Sequence, residues 1–316
     1  MSLALPDKWI WDSWFAYDGS HHHMFYLHAS KALGDPDRRH RNVMVGHAVS
    51  KDLKTWTVVR DALAVSDSPA FDSYTTWTGS VVQSDDGLWW MFYTGTSRED
   101  GGLVQSIGAA TSKDLLVWEK LGTTPLVKAD PRWYETINDP KSDSEACRDP
   151  WVFRFPNATE WHMLFTARAN HGEFRERGVV GHATSTDLRK WEVRPPLSLP
   201  GQGFHELEVL QYAVVDGVPL LVFACGWKNI SDQRLAKQGP KHLTYSLVVD
   251  ASLEALDFTK AKPFEAHPVY AGRLVFDQKT GWNLMGFNDF VDGEFVGDVP
   301  DPFPVTANAT EGLIPR

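Results

Sequence analysis

The sequence contains no run of eighteen apolar residues, so no membrane-spanning helix is expected. It opens Met1-Ser2-Leu3-Ala4-Leu5-Pro6 without a basic stretch leading into an apolar one, and no secretory leader is read there. Positive charge is in the minority. Against 41 Asp and Glu stand 31 Lys and Arg, and the net charge of −10 disfavours a phosphate backbone as partner. Cysteine is scarce as well: Cys147 and Cys225 cannot build a disulfide framework, and they read as buried thiols of a reducing, cytoplasmic compartment. Neither a Gly-rich phosphate loop nor a Cys-x-x-Cys pair occurs, so no cofactor or metal is called for. Helical periodicity is missing beyond a turn or two, the one candidate being residues 252–256.

What the sequence has in quantity is tryptophan, 14 residues of 316, and a repeat that uses it. Gly46-His47-Ala48-Val49-Ser50-Lys51-Asp52-Leu53-Lys54-Thr55-Trp56 returns at residues 108–118 and again at residues 181–191. The shared pattern is Gly-x-Ala-x-Ser-x-Asp-Leu-x-x-Trp, and a looser fourth copy spans residues 245–258. Within one period, Gly79-Ser80-Val81-Val82-Gln83, Leu88-Trp89-Trp90-Met91-Phe92-Tyr93 and Ser106-Ile107-Gly108-Ala109-Ala110-Thr111 are β-prone runs separated by polar turns. Four short antiparallel strands per unit of about 63 residues describe a propeller blade. The expected fold is therefore all-β, with residues 1–316 forming a single five-bladed β-propeller whose blades start near residues 10, 76, 147, 206 and 269. The repeat Asp should cap backbone donors of its turn, and the closing Trp should pack between blades. Residues 297–316, with Pro300, Pro302 and Pro304, read as an irregular tail on the outside.

Innermost strands of a propeller line its axis, and the axis mouth is the natural pocket. The segments that start each unit carry Asp12, Trp77, Asp149 and Glu208, one polar or aromatic residue per blade at the repeat period. Converging carboxylates raise one another's pKa and cost stability, which marks a functional site. Three carboxylates beside an arginine suit glycoside hydrolysis, where one acid stays protonated and one carboxylate stays ionised. Glu206 and Glu208 stand two residues apart, which on a strand places both on one face.

Trp11-Asp12-Ser13-Trp14, Trp77-Thr78-Gly79-Ser80, Arg148-Asp149-Pro150 and Glu206-Leu207-Glu208 together resemble the signature motifs of the levansucrase and inulosucrase family. The second and third also resemble motifs of the invertases and fructan hydrolases. Both groups belong to a wider set of five-bladed propellers that includes arabinanases and β-xylosidases. The resemblance implies a carbohydrate substrate, with Asp12 as nucleophile toward a fructofuranosyl unit, Glu208 as general acid and then base, and Asp149 stabilising the transition state. It implies that Arg148 and Glu206 orient the sugar ring, and that Trp11, Trp77 and Thr78 shape the pocket floor.

The sequence also departs from the family pattern. Val209-Leu210 follows Glu208 where the sucrases carry Arg-Pro, and their later arginine has no clear counterpart, Lys228 being the nearest substitute. Three readings stand open: a retaining β-fructofuranosidase or fructosyltransferase, an inverting arabinofuranosidase or xylosidase, and a non-catalytic sugar-binding propeller. The run His21-His22-His23 follows a hairpin-turn signal and reads as a hairpin end rather than a metal site. The acidic run of residues 138–145 reads as a solvated loop rather than a calcium site.

Overall fold

Short β-prone runs divided by Gly- and Asp-bearing turns cannot bury a helical stripe; they pair instead into antiparallel sheets. In the computed structural model, which describes residues 3–316, they form five sheets. The first contains β1 (Lys8–Tyr17), β2 (His22–Ser30), β3 (Met44–Ser50) and β4 (Thr57–Val58). The second contains β5 (Thr75–Gln83), β6 (Trp89–Thr96), β7 (Gln105–Ser112) and β8 (Glu119–Lys120). The third contains β9 (Cys147–Arg154), β10 (Trp161–Arg168), β11 (Gly178–Ser185) and β12 (Glu192–Arg194). The fourth contains β13 (Glu208–Val215), β14 (Val218–Cys225), β15 (Leu243–Val248) and β16 (Lys262–Pro263). In the fifth, β17 (Tyr270–Asp277) and β18 (Gly281–Val291) are followed by a short β19 (Glu294–Asp298) that folds back on β18, then by β20 (Phe303–Asn308) and β21 (Gly312–Pro315).

Each first strand packs on the next around a ring, from β1 through β5, β9, β13 and β17 back to β1, and the fold is a five-bladed propeller. The ring closes without sharing a blade between the chain's two ends. Leu3 and Val299 instead exchange two backbone hydrogen bonds of 2.8 and 3.1 Å.

The repeat has a common geometry. Asp52, Asp114 and Asp187 each accept two backbone N–H groups of the following residues, as capping side chains do. The next residue, Leu53, Leu115 or Leu188, takes a left-handed φ near 60° while its side chain is fully buried. Each closing Trp donates its indole N–H to that leucine's carbonyl, at 3.0–3.1 Å. Trp118 then meets Phe25 of the first blade at 5.6 Å, and Trp191 meets Phe92 of the second at 5.4 Å, so they stitch neighbouring blades together. Glycine is required at the head of the repeat because an aromatic ring covers it: a Cβ on Gly108 would lie 2.2 Å from the Phe71 ring, and one on Gly181 2.3 Å from Phe165. In the looser fourth copy Leu253 takes the same φ of 58°, and Asp250 and Ser252 exchange the places of the repeat Ser and Asp around it.

Two sequence expectations fail. Residues 252–256 form a turn, and the only α-helix among the described residues is α1 (Asp232–Gln238), too short to leave a periodic signal. The final residues are not an irregular tail. β20 and β21 are the outer strands of the fifth blade, and Pro304 fits because its carbonyl, not the missing N–H, serves the ladder by accepting from Arg316 at 3.1 Å.

Candidate active site

Every inner strand carries one extra residue at the same level. The register slips at Asp12 in β1, at Thr78 in β5, across Asp149-Pro150 in β9, across Val209-Leu210 in β13 and across Ala271-Gly272 in β17. Such bulges re-aim a side chain out of the pleat. In the last three blades the first bulge residue is forced to a left-handed φ, 57° at Asp149, 54° at Val209 and 50° at Ala271. A strain of this kind costs on the order of 1–3 kcal/mol at each position and collects at functional sites.

The bulges define two rings about the axis. Asp12, Thr78, Asp149, Val209 and Ala271 are equivalent, and the residues before them are Trp11, Trp77, Arg148, Glu208 and Tyr270. The expected one-per-blade set of Asp12, Trp77, Asp149 and Glu208 therefore mixes two levels. Its members still converge, because all eight sequence-selected residues, Trp11, Asp12, Trp77, Thr78, Arg148, Asp149, Glu206 and Glu208, line one cavity of about 440 Å³. Glu206 precedes β13 rather than lying in it, and it reaches the cavity from the loop.

Hydrogen bonds fix each carboxylate. The Thr78 hydroxyl donates to Asp12. Gly79 beside it must lack a side chain, since a Cβ would stand 2.1 Å from the Phe92 carbonyl. Asp149 Oδ2 receives the Thr166 hydroxyl at 3.0 Å and the Val209 N–H at 3.3 Å, while Arg148 Nε lies 3.4 Å away. Arg148 Nη2 donates to Glu206 at 2.5 Å and to Glu208 at 2.7 Å, and the Tyr270 hydroxyl donates to the other oxygen of Glu208.

Glu206 is held from a second side. Arg168 Nη1 donates to it at 2.5 Å, and Arg168 is in turn held by Glu135 at 2.8 Å. Glu135 also accepts from Arg177, which reaches Asp139 at 2.7 Å. An alternating chain of charges thus runs from the loop at Asp139 to the edge of the cavity. The acidic run of residues 138–145 is therefore not a freely solvated loop: Asp139 binds Arg177, and Ser142 and Ser144 cap Arg168. Among the described residues no group of three or more His, Cys, Asp or Glu side chains is placed to hold a metal ion. In the histidine run, His22 meets Asp277 at 3.1 Å, and His23 meets Asp18 at 3.1 Å and His47 at 2.9 Å.

The charges differentiate the carboxyls. Burial raises Asp12 from 3.8 to about 6, and Glu208 adds to the rise while the Thr78 hydrogen bond and the Arg273 and Arg39 charges oppose it. Burial likewise raises Asp149 to about 6, with Asp12 adding and Arg148 opposing. Burial also pushes Glu206 up, but Arg148 and Arg168 outweigh it and hold the group below its ordinary range. Glu208 is pushed above its range by burial, with Arg148 opposing and the charges of Glu206 and Asp149 reinforcing. The pair is thus split, one glutamate favouring the ionised form and its neighbour favouring the protonated form, the direction of difference an acid–base mechanism uses.

Several cavity residues carry no motif that reveals them. The 3-10 turn Pro36–Arg41 walls one side: the His40 ring lies 6.1 Å from Trp11, its backbone carbonyl accepts the Trp77 indole N–H at 2.9 Å, and buried Arg39 lies 3.9 Å from the Phe295 ring. Lys228 lines the mouth but does not bond Glu206; Arg168 supplies the second cation there, from a strand where no motif signals it. Tyr270 and Arg273 flank the bulge of the fifth blade at the positions that Glu208 and Gln211 hold in the fourth, and that equivalence is the signal that finds them.

Known proteins similar to this chain include one family match, one curated relative and two solved structures. Residues 6–294 match the family described as the glycosyl hydrolases family 32 N-terminal domain. Beta-fructofuranosidase 1 of Zea mays is 28% identical over 206 residues, which cover 64% of this chain and 28% of that enzyme, so the chain spans under a third of that relative's length. The inulosucrase from Halalkalicoccus jeotgali bound to kestose superposes with a TM-score of 0.72 at 22% identity, covering 98% of this chain and 90% of that one. Bacillus subtilis levansucrase superposes at 0.73 and 15% identity, covering 98% and 86%. At those identities the structural likeness establishes the shared propeller.

Proposed function

The chain belongs to family 32 of the glycosyl hydrolases, and from that membership we propose that it cleaves a β-fructofuranoside by a retaining double displacement. Asp12 is the nucleophile: its carboxylate attacks the anomeric carbon as the bond to the leaving oxygen breaks, and Glu208 gives that oxygen its proton. In the second step Glu208 takes a proton from water or a sugar hydroxyl, the freed oxygen attacks the same carbon, and Asp12 is released. Asp149 hydrogen-bonds the sugar hydroxyls as positive charge builds on the ring. Arg148 and ionised Glu206 orient the sugar, and Trp11, Trp77 and Thr78 close the floor.

The observation that carries this reading is the contrast between two neighbouring glutamates in one cavity, with Glu206 held below its ordinary range between two guanidinium groups and Glu208 pushed above its own beside it. A binding module has no use for such a pair. The test is Asp12→Asn, which should abolish fructose release from sucrose and short fructans; turnover equal to the parent protein contradicts the assignment. We also place the protein in the cytoplasm, on the support of two buried, unpaired thiols at Cys147 and Cys225. Recovery of the native protein from a secreted fraction would overturn that location.

A further inference from the structure

Arg273 extends from β17 to the propeller axis and is 1% exposed. Its Nη1 donates to the carbonyls of Leu210 at 2.6 Å and Val209 at 3.3 Å, and its Nη2 to Gly79 at 3.4 Å. Its guanidinium lies 5.0 Å from the Trp151 ring centre. One side chain of the fifth blade therefore grips the bulges of the second and fourth and rests on the third. Those bulges aim the site: Gly79 follows Thr78, which binds Asp12, and the Val209 N–H binds Asp149.

A full charge buried on neutral carbonyls is expensive, and a neutral side chain with donors would grip them at lower cost. Its Nε has no partner among the described residues, and none of their carboxylates pairs with it as Arg148 and Arg168 are paired. The charges facing it are Asp12 and Asp149, two carboxylates converging on the axis. Burial lowers the Arg273 guanidinium to about 10 while Asp149 and Asp12 act to keep it charged.

We infer that Arg273 is a positioning residue, an axial cation that fixes the bulges of the second and fourth blades, whose Thr78 hydroxyl and Val209 N–H hold Asp12 and Asp149, and offsets the combined negative charge of those two carboxylates. The inference rests on the reading of Asp12 as nucleophile, which must be ionised to attack. Facing Asp12 are Glu208 and Asp149, which oppose its ionisation, and Arg39 and Arg273, which favour it. Arg39 comes from the turn outside the ring and is stacked on Phe295, so of these two cations Arg273 is the one carried by an inner strand.

The experiment titrates the Asp12 carboxyl directly. Protein carrying 13C at the aspartate carboxyl carbons is followed by NMR across pH, with Asp12→Asn assigning the resonance, in the parent chain and in Arg273→Lys, Arg273→Gln and Arg273→Met. The two neutral replacements should raise the Asp12 midpoint by about one pH unit, the effect of removing one nearby charge at an effective dielectric near 20. Arg273→Lys should keep it within about 0.3 units because the charge stays. In turnover, the acid limb of kcat/KM should move up with the neutral variants. Midpoints unchanged in Gln and Met, or neutral variants that do not fold, would place Arg273 in the frame alone and overturn the inference. The titration needs no substrate, so a protein inactive on every fructoside refutes the proposed reaction without deciding the role of Arg273.

Discussion

Arg168 Nη1 lies 2.5 Å from Glu206 Oε1, and it is the second guanidinium on a carboxylate that Arg148 already holds. This contact helps hold Glu206 below its ordinary range, while Glu208 beside it is pushed above its own. Removing the Arg168 charge should raise Glu206 and, through the loss of a nearby cation, Glu208 as well, so Glu208 should lose its proton at a higher pH. Arg168→Met should therefore lower kcat/KM by roughly 10- to 100-fold, about 1.4–2.7 kcal/mol, and move the basic limb of its pH profile upward. Arg168→Lys should recover part of the rate. A lower rate with an unmoved limb contradicts the electrostatic role.

Glu135 bridges Arg168 and Arg177 from a position that is 1% exposed and outside the cavity. Breaking a buried pair leaves an uncompensated charge, at a cost of about 3–5 kcal/mol. Glu135→Gln should lower the melting temperature clearly, while Asp85→Asn, which removes the exposed partner of Arg154, should leave it nearly unchanged. Thermal unfolding followed by circular dichroism compares the two; equal effects would deny the buried chain its structural weight.

Asp12 makes the folded state sensitive to pH. Its folded pKa, raised from 3.8 to about 6, means that the folded protein holds this proton more tightly than the unfolded chain. The stability it contributes is therefore present below about 4 and lost as pH rises through 6. Asp12→Asn cannot ionise, so at pH 7 it should be more stable than the parent by on the order of 3 kcal/mol, with the difference nearly vanishing at pH 4. Denaturant titrations at the two pH values check this, and a variant destabilised at pH 7 contradicts it.

The same titration sets the activity profile. kcat/KM should rise as pH passes through about 6, where Asp12 ionises, and fall again where Glu208 loses its proton. Initial rates on sucrose or a short fructan between pH 4 and 9 read both limbs. Activity that is maximal at pH 4 would require a different nucleophile.

Much of this was legible in the sequence because a propeller repeats its local physics. The Ser-x-Asp-Leu turn and its closing Trp are short-range devices, so they recur as text wherever the blade edge recurs. The fifth blade breaks the text, since β19 interrupts it and β20 and β21 carry none of the pattern, and proline content alone suggested a tail. Asp12, Asp149 and Glu208 stand in compact motifs on inner strands. Arg168, Glu135 and Arg177 act through pairings between segments far apart in the chain, which no local pattern encodes. The equivalence of Thr78 with Asp12, and of Glu208 with Arg148, depends on bulges visible only once strand register is known.

The central claim concerns which bond is cleaved and from which face. The most direct test is to incubate the protein with sucrose, short fructans, arabinofuranosides and xylosides and to follow the first turnover products by NMR before they mutarotate. The account predicts fructose, or fructose transferred to a sugar acceptor, with the β configuration of the donor retained. Release of a pentose, inversion at the anomeric carbon, or tight binding of a fructoside without turnover would contradict it.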